Sequence, residues 1–272
     1  MTNDIPLFDS LTHPTLDGNW ILPRYSGQAY IEELLGQMEK YNVRWAFAVG
    51  MEGIGGYQID RFVSMVKETA PEVLFPIAFF SFSNKDRTDL AAQLRSIKDK
   101  GYVGIKLHPR IGNIMLDDDC LPFVIDLANE MGLAVLLCTY FYSNKQSCSV
   151  NNVTAIGDLL MKVNEKSKVV LLHGGGVRLL EMMEIVRAFP NTLLDLSLTM
   201  CKYSGSSLDL DISYMFKMFD RRICVGTDHP EFSHQLLRER FDYFAEGITR
   251  EKAENIAFRN INSFVDLKID TK

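Results

Sequence analysis

Short apolar segments alternate along the whole chain with longer segments that have helical periodicity. The short segments are apolar almost throughout, which is typical of parallel strands that helices cover on both faces. They predict eight strands, over residues 6–10, 44–49, 73–79, 103–108, 133–138, 168–173, 192–197 and 222–227.

The longer segments predict amphipathic helices. Apolar residues near positions i, i+3, i+4 and i+7 form one stripe toward the sheet, as over residues 31–38, 90–97 and 121–128. A last helix is predicted over residues 249–264. Eight strands, each followed by a helix, predict an α/β fold, a single (β/α)8 TIM barrel domain over residues 1–272. The alternative, a doubly wound open sheet, would be expected to have a glycine-rich turn after its first strand, where this chain has none.

Composition and charge argue against several classes of partner. The chain is 47% apolar and 24% charged, and its net charge of −6 disfavours nucleic acid or an anionic membrane surface as the main partner. No run of about 18 apolar residues predicts a membrane span, and the amino terminus lacks the features of a secretion signal. The five cysteines are odd in number and show no CxxC spacing, so we expect reduced thiols and a cytoplasmic location.

Polar residues concentrate where the predicted strands end, which is where barrel enzymes hold their active sites. Four of the five histidines lie at these ends: His13, His108, His173 and His229. Lys106 lies two positions before His108, and the cost of burying its charge against the helices favours the barrel interior. For each histidine the alternative is a hydrogen-bonded structural role, which we favour for His229. We expect His234, within the following helix, to lie at the surface.

Cations and aromatic residues follow the same strand ends. Arg110, Arg178 and Lys202 are candidates for binding a carboxylate or phosphate, although for each one alone we favour a solvated loop cation. The glycines at 174–176 indicate either backbone N–H donors for an anion or a tight turn. Loop aromatics favour a ligand that contains a ring, and Tyr140 is the candidate for substrate binding; the set is Tyr57, Tyr140, Phe141, Tyr142 and Tyr203.

Four of these strand-end motifs together carry a family resemblance. They are FDSLTH at 8–13, GIKLHP at 104–109, LLHGGG at 171–176 and GTDHP at 226–230. In this order they resemble the amidohydrolase superfamily, and within it the amidohydrolase-related (amidohydrolase 2) branch of TIM-barrel metal-dependent hydrolases. That branch includes decarboxylases and lactonases, and the resemblance spans the whole chain.

The resemblance also implies a set of metal ligands, which is degenerate here. In the family the first strand ends in His-x-His, but this chain has Leu11 at the first position and only His13 at the second. Cys138 stands where the fifth strand usually supplies a histidine, and Asp228 matches the aspartate that is both ligand and general base. The resemblance therefore implies either one zinc or manganese ion bound by His13, Cys138 and Asp228, or a metal-free site. His173 matches a histidine that is often catalytic.

The first functional hypothesis is a hydrolase that acts on a lactone, ester or amide of a small carboxylated substrate. Asp228 would activate water with or without one divalent metal, and His173 would polarise the scissile carbonyl. Lys106, His108 and Arg110 would stabilise the oxyanion. Decarboxylation or hydration, which are lyase reactions known in the same superfamily, are alternatives.

Two other readings stay open. Leu11 and Cys138 favour a barrel that has lost catalysis and keeps a binding or assembly role. Lys106 also allows a sugar-phosphate isomerase or aldolase in which the lysine forms a Schiff base. In every case we expect a small-molecule substrate or ligand, and the resemblance implies a homodimer.

Overall fold

Eight parallel strands form a barrel in this computed structural model, which describes residues 4–82, 85–112, 114–141 and 152–269. Each strand is hydrogen-bonded to the next one in chain order, which confirms the predicted (β/α)8 architecture. The strands are β1 (Leu7–Thr12), β2 (Val43–Val49), β3 (Leu74–Phe80), β4 (Gly104–Leu107), β5 (Ala134–Cys138), β6 (Val169–Leu172), β7 (Thr192–Asp195) and β8 (Ile223–Cys224).

Helices follow the strands and cover the barrel. They are α1 (Ile31–Lys40), α2 (Ile59–Thr69), α3 (Arg87–Lys100), α4 (Cys120–Glu130), α5 (Val153–Lys162), α6 (Leu179–Ala188), α7 (Thr199–Lys202), α8 (Leu208–Met218), α9 (His234–Ala245), α10 (Arg250–Glu254) and α11 (Asn260–Val265). A π-helical segment, Asn255–Arg259, joins α10 to α11, and 3-10 turns lie at Pro23–Tyr25 and His173–Arg178. The predicted last helix is confirmed, with Thr249 as its N-cap.

All eight predicted strands are present, but several are shorter than the apolar pattern predicts: β4, β6 and β7 have four residues each where six are predicted, and β8 has two. The seventh ends at Asp195 because the carboxylate of that residue accepts the N–H groups of Ser197 and His173, at 3.2 and 3.0 Å. The eighth ends at Cys224, and the following backbone bends until Asp228 has a positive φ of 63°. Both regular strands therefore end earlier than the hydrophobicity of their segments indicates.

The barrel is closed between β1 and the segment after β8. Ser10 N–H donates to the Val225 carbonyl at 3.1 Å, and Asp228 N–H donates to the Leu11 carbonyl at 2.9 Å. These bonds continue the parallel ladder past the end of β8. They place the residues after β8 directly beside those at the end of β1.

Asp9 adds a side-chain connection at the same seam. Its carboxylate accepts the N–H and the hydroxyl of Thr227, at 2.9 and 2.6 Å, and the N–H of Leu11 at 3.0 Å. His234 Nε2 lies 3.1 Å from Asp9 Oδ2, and both side chains are fully buried. The expectation that His234 lies at the surface is therefore wrong, because the first turn of α9 packs this ring onto the Asp9 carboxylate.

Within the described ranges, no helix is long and apolar enough to cross a membrane. Among the described residues, Cys120, Cys138, Cys201 and Cys224 form no disulfide bond. Cys148, the fifth cysteine, and Tyr142, one of the loop aromatics named above, lie outside the described residues.

We expect the substitution Asp9→Ala to lower the free energy of unfolding by about 3–5 kcal/mol, because it leaves the buried N–H and hydroxyl of Thr227 and the N–H of Leu11 without their acceptor. Urea denaturation followed by tryptophan fluorescence measures this change. Asp4→Ala is the control, since Asp4 pairs with Arg250 at the solvent-exposed surface, and its unfolding midpoint should match that of the wild type. Equal midpoints for the two variants would show that Asp9 does not hold the seam.

Candidate active site

A cavity of about 440 Å³ opens at the carboxyl ends of the strands. Seven of the nine predicted site residues line it: His13, Lys106, His108, Arg110, Tyr140, His173 and Asp228. A second cavity, of about 500 Å³, lies beside the amino ends of β5 and β6 and includes none of them. The candidate chemistry therefore belongs to the first cavity, at the end of the barrel where active sites of this fold lie.

The other two predicted residues, Cys138 and Arg178, do not line the cavity. Cys138 is fully buried at the end of β5, and its Sγ lies 3.4 Å from the Nη2 atom of Arg110. The guanidinium of Arg178 lies 5.4 Å above the ring of Phe141. Arg178 as a substrate contact stays a prediction.

His13, Lys106 and Asp228 form the innermost cluster. His13 Nε2 lies 3.1 Å from Lys106 Nζ and 3.3 Å from Asp228 Oδ1. His13 Nδ1 lies 2.8 Å from the carbonyl oxygen of Val49, which can only accept, so we assign the ring proton to Nδ1. The lone pair of Nε2 then faces the amine of Lys106.

The same cluster has shifted pKa values. Burial and the positive charge of Lys106 lower the pKa of His13 to about 4, so the ring is neutral at neutral pH. Burial also lowers the pKa of Lys106, and the nearby Asp228 carboxylate opposes that change. For Asp228, burial alone would raise the pKa, but the positive charges of His173 and Lys106 hold it below its usual value. Asp228 is therefore an ionised carboxylate.

His108, Arg110 and Cys138 form a second group beside the first. Arg110 Nη2 lies 3.4 Å from both His108 Nε2 and Cys138 Sγ. Burial favours a neutral thiol, yet the pKa of Cys138 lies well below its usual value. The charges of His108, Arg110 and His173 outweigh burial, and contact with His108 lowers the pKa further. These neighbours favour the thiolate form of Cys138, and Arg110 Nη2 is in contact with its sulfur.

His173 is held by polar residues that follow β7. Its Nδ1 lies 3.3 Å from the Ser197 carbonyl oxygen and 3.2 Å from the Ser197 hydroxyl, and that hydroxyl also donates to Asp195. Burial lowers the pKa of an imidazolium, but the Cys138 thiolate outweighs this effect and raises the pKa of His173. Sequence reasoning did not single out Asp195 or Ser197, although two polar residues inside a predicted apolar strand were a usable signal.

The mouth of the cavity combines cations with apolar side chains. Lys202 Nζ donates to the hydroxyl of Tyr140 at 2.9 Å, and the guanidinium of Arg110 lies 5.2 Å from the centre of the same ring. Ile21, Leu22 and Ile111 also line the cavity, with exposed fractions of 51%, 38% and 40%. A ligand that entered here would meet positive charge and apolar surface together.

Trp20 and Glu231 also line the cavity, and sequence reasoning did not identify them. Trp20 stacks on His13 with ring centres 5.1 Å apart, and its Nε1 donates to Glu231 Oε1 at 3.4 Å. Burial and the charge of Asp228 raise the pKa of Glu231. Glu231 directly follows the GTDHP motif, which was an available signal, whereas Trp20 lies in the long loop after β1, where neither spacing nor periodicity identified it.

Three residues of the cavity have left-handed backbone conformations. His173, Leu198 and Asp228 have φ values of 68°, 61° and 63°, and none of them is glycine. The positive φ changes the direction of the chain after the strand, and each of the three side chains lines the cavity. In the glycine turn at 174–176, Gly175 N–H donates to Thr139 Oγ1 at 2.9 Å, so that donor is used within the fold, which supports the tight-turn reading.

The site residues do not fit a divalent metal ion. A metal bound to His13 Nε2 would compete with the Lys106 amine 3.1 Å away, and Cys138 is paired with Arg110. Throughout residues 4–82, 85–112, 114–141 and 152–269, no group of three or more His, Cys, Asp or Glu side chains is arranged to hold a metal. His13, Cys138 and Asp228 as a ligand set therefore stay a sequence prediction.

His229 lies outside this cluster. Its Nε2 lies 2.8 Å from the Gln28 carbonyl oxygen, and its ring packs against His234 with centres 5.4 Å apart. This agrees with the structural role that the sequence favoured for it.

Comparison with known proteins begins with families. The model of the amidohydrolase family matches residues 26–248 of the chain. No curated protein sequence matches.

Solved structures with the same architecture are numerous. An uncharacterised TIM-barrel protein from Bordetella bronchiseptica is 17% identical, with a TM-score of 0.81 over 96% of this chain and 98% of that one. A probable 2-pyrone-4,6-dicarboxylic acid hydrolase from Acinetobacter baumannii, crystallised with citric acid, is 15% identical, with a TM-score of 0.69 over 96% and 99%. A dihydroxybenzoic acid decarboxylase from Polaromonas sp. JS666, with bound manganese and an inhibitor, is 12% identical, with a TM-score of 0.72 over 96% and 97%. At these identities the likeness shows the shared fold.

The Arg110–Cys138 contact leads to a spectroscopic prediction. Substituting Arg110→Gln removes the cation that stabilises the thiolate, so we expect the pKa of Cys138 to rise. The measurement is the pH titration of thiolate absorbance near 240 nm, taken as the difference between each protein and the same protein with Cys138→Ala. Arg187→Gln, on the exposed face of α6, is the control. An unchanged Cys138 titration in Arg110→Gln would rule out the guanidinium as the cause.

Proposed function

Since this chain belongs to the amidohydrolase family, we propose that it is a hydrolase that cleaves a lactone, ester or amide bond in a small carboxylated substrate. The observation that carries the proposal is the distribution of charge in the cavity. The ionised carboxylate of Asp228 lies in the buried cluster with Lys106, while Arg110 and Lys202 lie nearer the solvent. The cavity thus has a general base, Asp228, at its buried end and cations that can bind a substrate carboxylate at its mouth.

The inner cluster supplies the groups that hydrolysis needs. Asp228 accepts a proton from water as the water oxygen attacks the scissile carbonyl carbon. The ammonium of Lys106 and the imidazolium of His173 donate to the carbonyl oxygen, which becomes negatively charged. The C–O or C–N bond then breaks, and Asp228 returns the proton to the leaving group. The products are a carboxylate with its accompanying proton and an alcohol or amine.

The outer part of the cavity supports the choice of substrate. Arg110 and Lys202 both lie within cation–π distance of Tyr140, at 5.2 and 4.9 Å from its ring centre, so an anion near Tyr140 would meet two cations. The apolar rim suits a ring or a short hydrocarbon. The similar protein from Acinetobacter baumannii is described as a probable 2-pyrone-4,6-dicarboxylic acid hydrolase and was crystallised with citric acid, which is consistent with a substrate of this class.

We expect Asp228→Asn to lower kcat/KM by about 10²–10⁴, which is the usual contribution of a general base, with a much smaller change in KM. The assay is the release of acid from a panel of lactones and aryl esters that carry a free carboxylate. Asp119→Asn, at an exposed position before α4, is the matched control and should retain wild-type rates.

The same panel distinguishes the competing reactions. If the protein releases CO₂ from aromatic acids and cleaves no ester, it is a decarboxylase and the hydrolase proposal is wrong. Binding of the panel compounds without turnover would favour a barrel that only binds. Equal rates for Asp228→Asn and the wild type would contradict the role of Asp228.

Recognition of the substrate carboxylate is tested by pairing a variant with a changed substrate. Arg110→Gln should raise KM for a carboxylated ester by about tenfold or more, since a hydrogen bond to a charged group contributes about 1.5–3 kcal/mol. The neutral analogue, in which that carboxylate is an amide, should show little difference between the two proteins. If KM rises equally for both substrates, Arg110 affects the shape of the cavity but does not recognise the substrate carboxylate.

A further inference from the structure

His13 Nε2 has two neighbours of opposite charge. Asp228 Oδ1 lies 3.3 Å away and Lys106 Nζ lies 3.1 Å away. Because Nδ1 of the same ring faces the Val49 carbonyl at 2.8 Å, Nε2 presents a lone pair. A lone pair and a carboxylate oxygen repel each other at this distance unless a positive group lies beside them. The arrangement therefore requires a cation close to Nε2.

In proteins a metal ion often supplies the positive charge where an imidazole and a carboxylate converge. Here a group of the chain itself lies within hydrogen-bond distance of the imidazole lone pair. We propose that the ammonium of Lys106 is the resident cation of the His13–Asp228 pair and takes the place of a divalent metal. The position of this cation is inferred from the contacts alone, whereas its role in a reaction rests on the proposed hydrolase function.

The neighbouring residues agree with this assignment. Leu11, two positions before His13, is fully buried in the hydrophobic core and offers no donor atom. The Cys138 thiolate is matched by the guanidinium of Arg110. Lys106 is only 2% exposed and reaches His13 from β4, so its charge has little contact with water. Each anion of the inner site thus has a cation supplied by the chain.

An ammonium group at Lys106 in place of a metal ion limits the substrates that the site can hydrolyse. It stabilises an oxyanion through one charge and its N–H donors, but it does not lower the pKa of a bound water as zinc does. The attacking water then depends on the weakly basic carboxylate of Asp228. Such a site suits carbonyl groups with good leaving groups, which means lactones and aryl or enol esters in preference to unactivated amides.

Metal binding tests the proposal without any substrate. Zn²⁺ is titrated into chelator-treated full-length protein, and binding is followed by calorimetry and by the shift in unfolding temperature. The wild type should bind no stoichiometric Zn²⁺. In Lys106→Glu the cation is replaced by a third donor beside His13 and Asp228, so this variant should bind one ion, roughly tenfold or more tightly than the wild type, and gain thermal stability from it.

Two further variants locate the bound ion. Lys202→Glu makes the same change of charge at the mouth of the cavity and should bind Zn²⁺ no more tightly than the wild type. Adding Asp228→Asn to Lys106→Glu should abolish the gain in affinity. Tight binding by Lys202→Glu, or binding that persists without Asp228, would overturn the assignment, since the ion would then lie elsewhere.

The wild type and a milder variant keep the test decisive if Lys106→Glu does not fold. Lys106→Met removes the charge and keeps most of the side-chain volume, so Zn²⁺ should bind it more tightly than the wild type. A wild type that binds one Zn²⁺ as tightly as either variant would overturn the proposal. Failure of the hydrolase function is distinguishable, because it would appear as an inactive wild type with the expected zinc pattern.

Discussion

The Asp9 carboxylate joins the first strand to the segment that follows the last one, and the geometry of the site depends on this connection. Thr227 is bound to Asp9 through both its N–H and its hydroxyl. The next residue, Asp228, is held through its N–H by the Leu11 carbonyl. His13 lies two residues beyond Leu11, so the groups that bond to each other in the cavity come from opposite ends of the chain. The hydrogen bonds that close the barrel between β1 and the segment after β8 therefore also place Asp228, the proposed general base, beside His13.

Electrostatic coupling then makes the buried groups depend on one another. The charges of His108 and Arg110 lower the pKa of Cys138, and the Cys138 thiolate in turn raises the pKa of His173. Lys106 helps to keep Asp228 ionised, and Asp228 opposes the loss of charge from Lys106. In a water-poor interior such interactions are strong, and removal of one member leaves its partner unsatisfied. The site therefore acts as one unit whose parts do not contribute independently.

Sequence periodicity was sufficient for the fold, because strands covered on both faces differ clearly from amphipathic helices. The rule that barrel sites lie at strand ends also predicted that Lys106 and Asp228 would lie together, and they line the same cavity. Contacts between side chains were not predictable, since they depend on directions that spacing does not encode. Trp20 reaches the cavity from a long irregular loop, and His234 turns inward on a helix that sequence alone placed at the surface. Pairing of Cys138 with Arg110 likewise depends on which way each side chain leaves the barrel.

The left-handed backbone at His173, Leu198 and Asp228 has an evolutionary consequence. A non-glycine residue in this conformation costs about 1–2 kcal/mol, so glycine or asparagine at any of the three positions would relieve local strain. Natural proteins lie close to a stability threshold, and mutations that raise stability are common. A lineage selected for heat resistance alone would gain by losing these side chains. The three positions therefore carry a cost in stability, and the placement of side chains in the cavity is what this cost obtains for the protein.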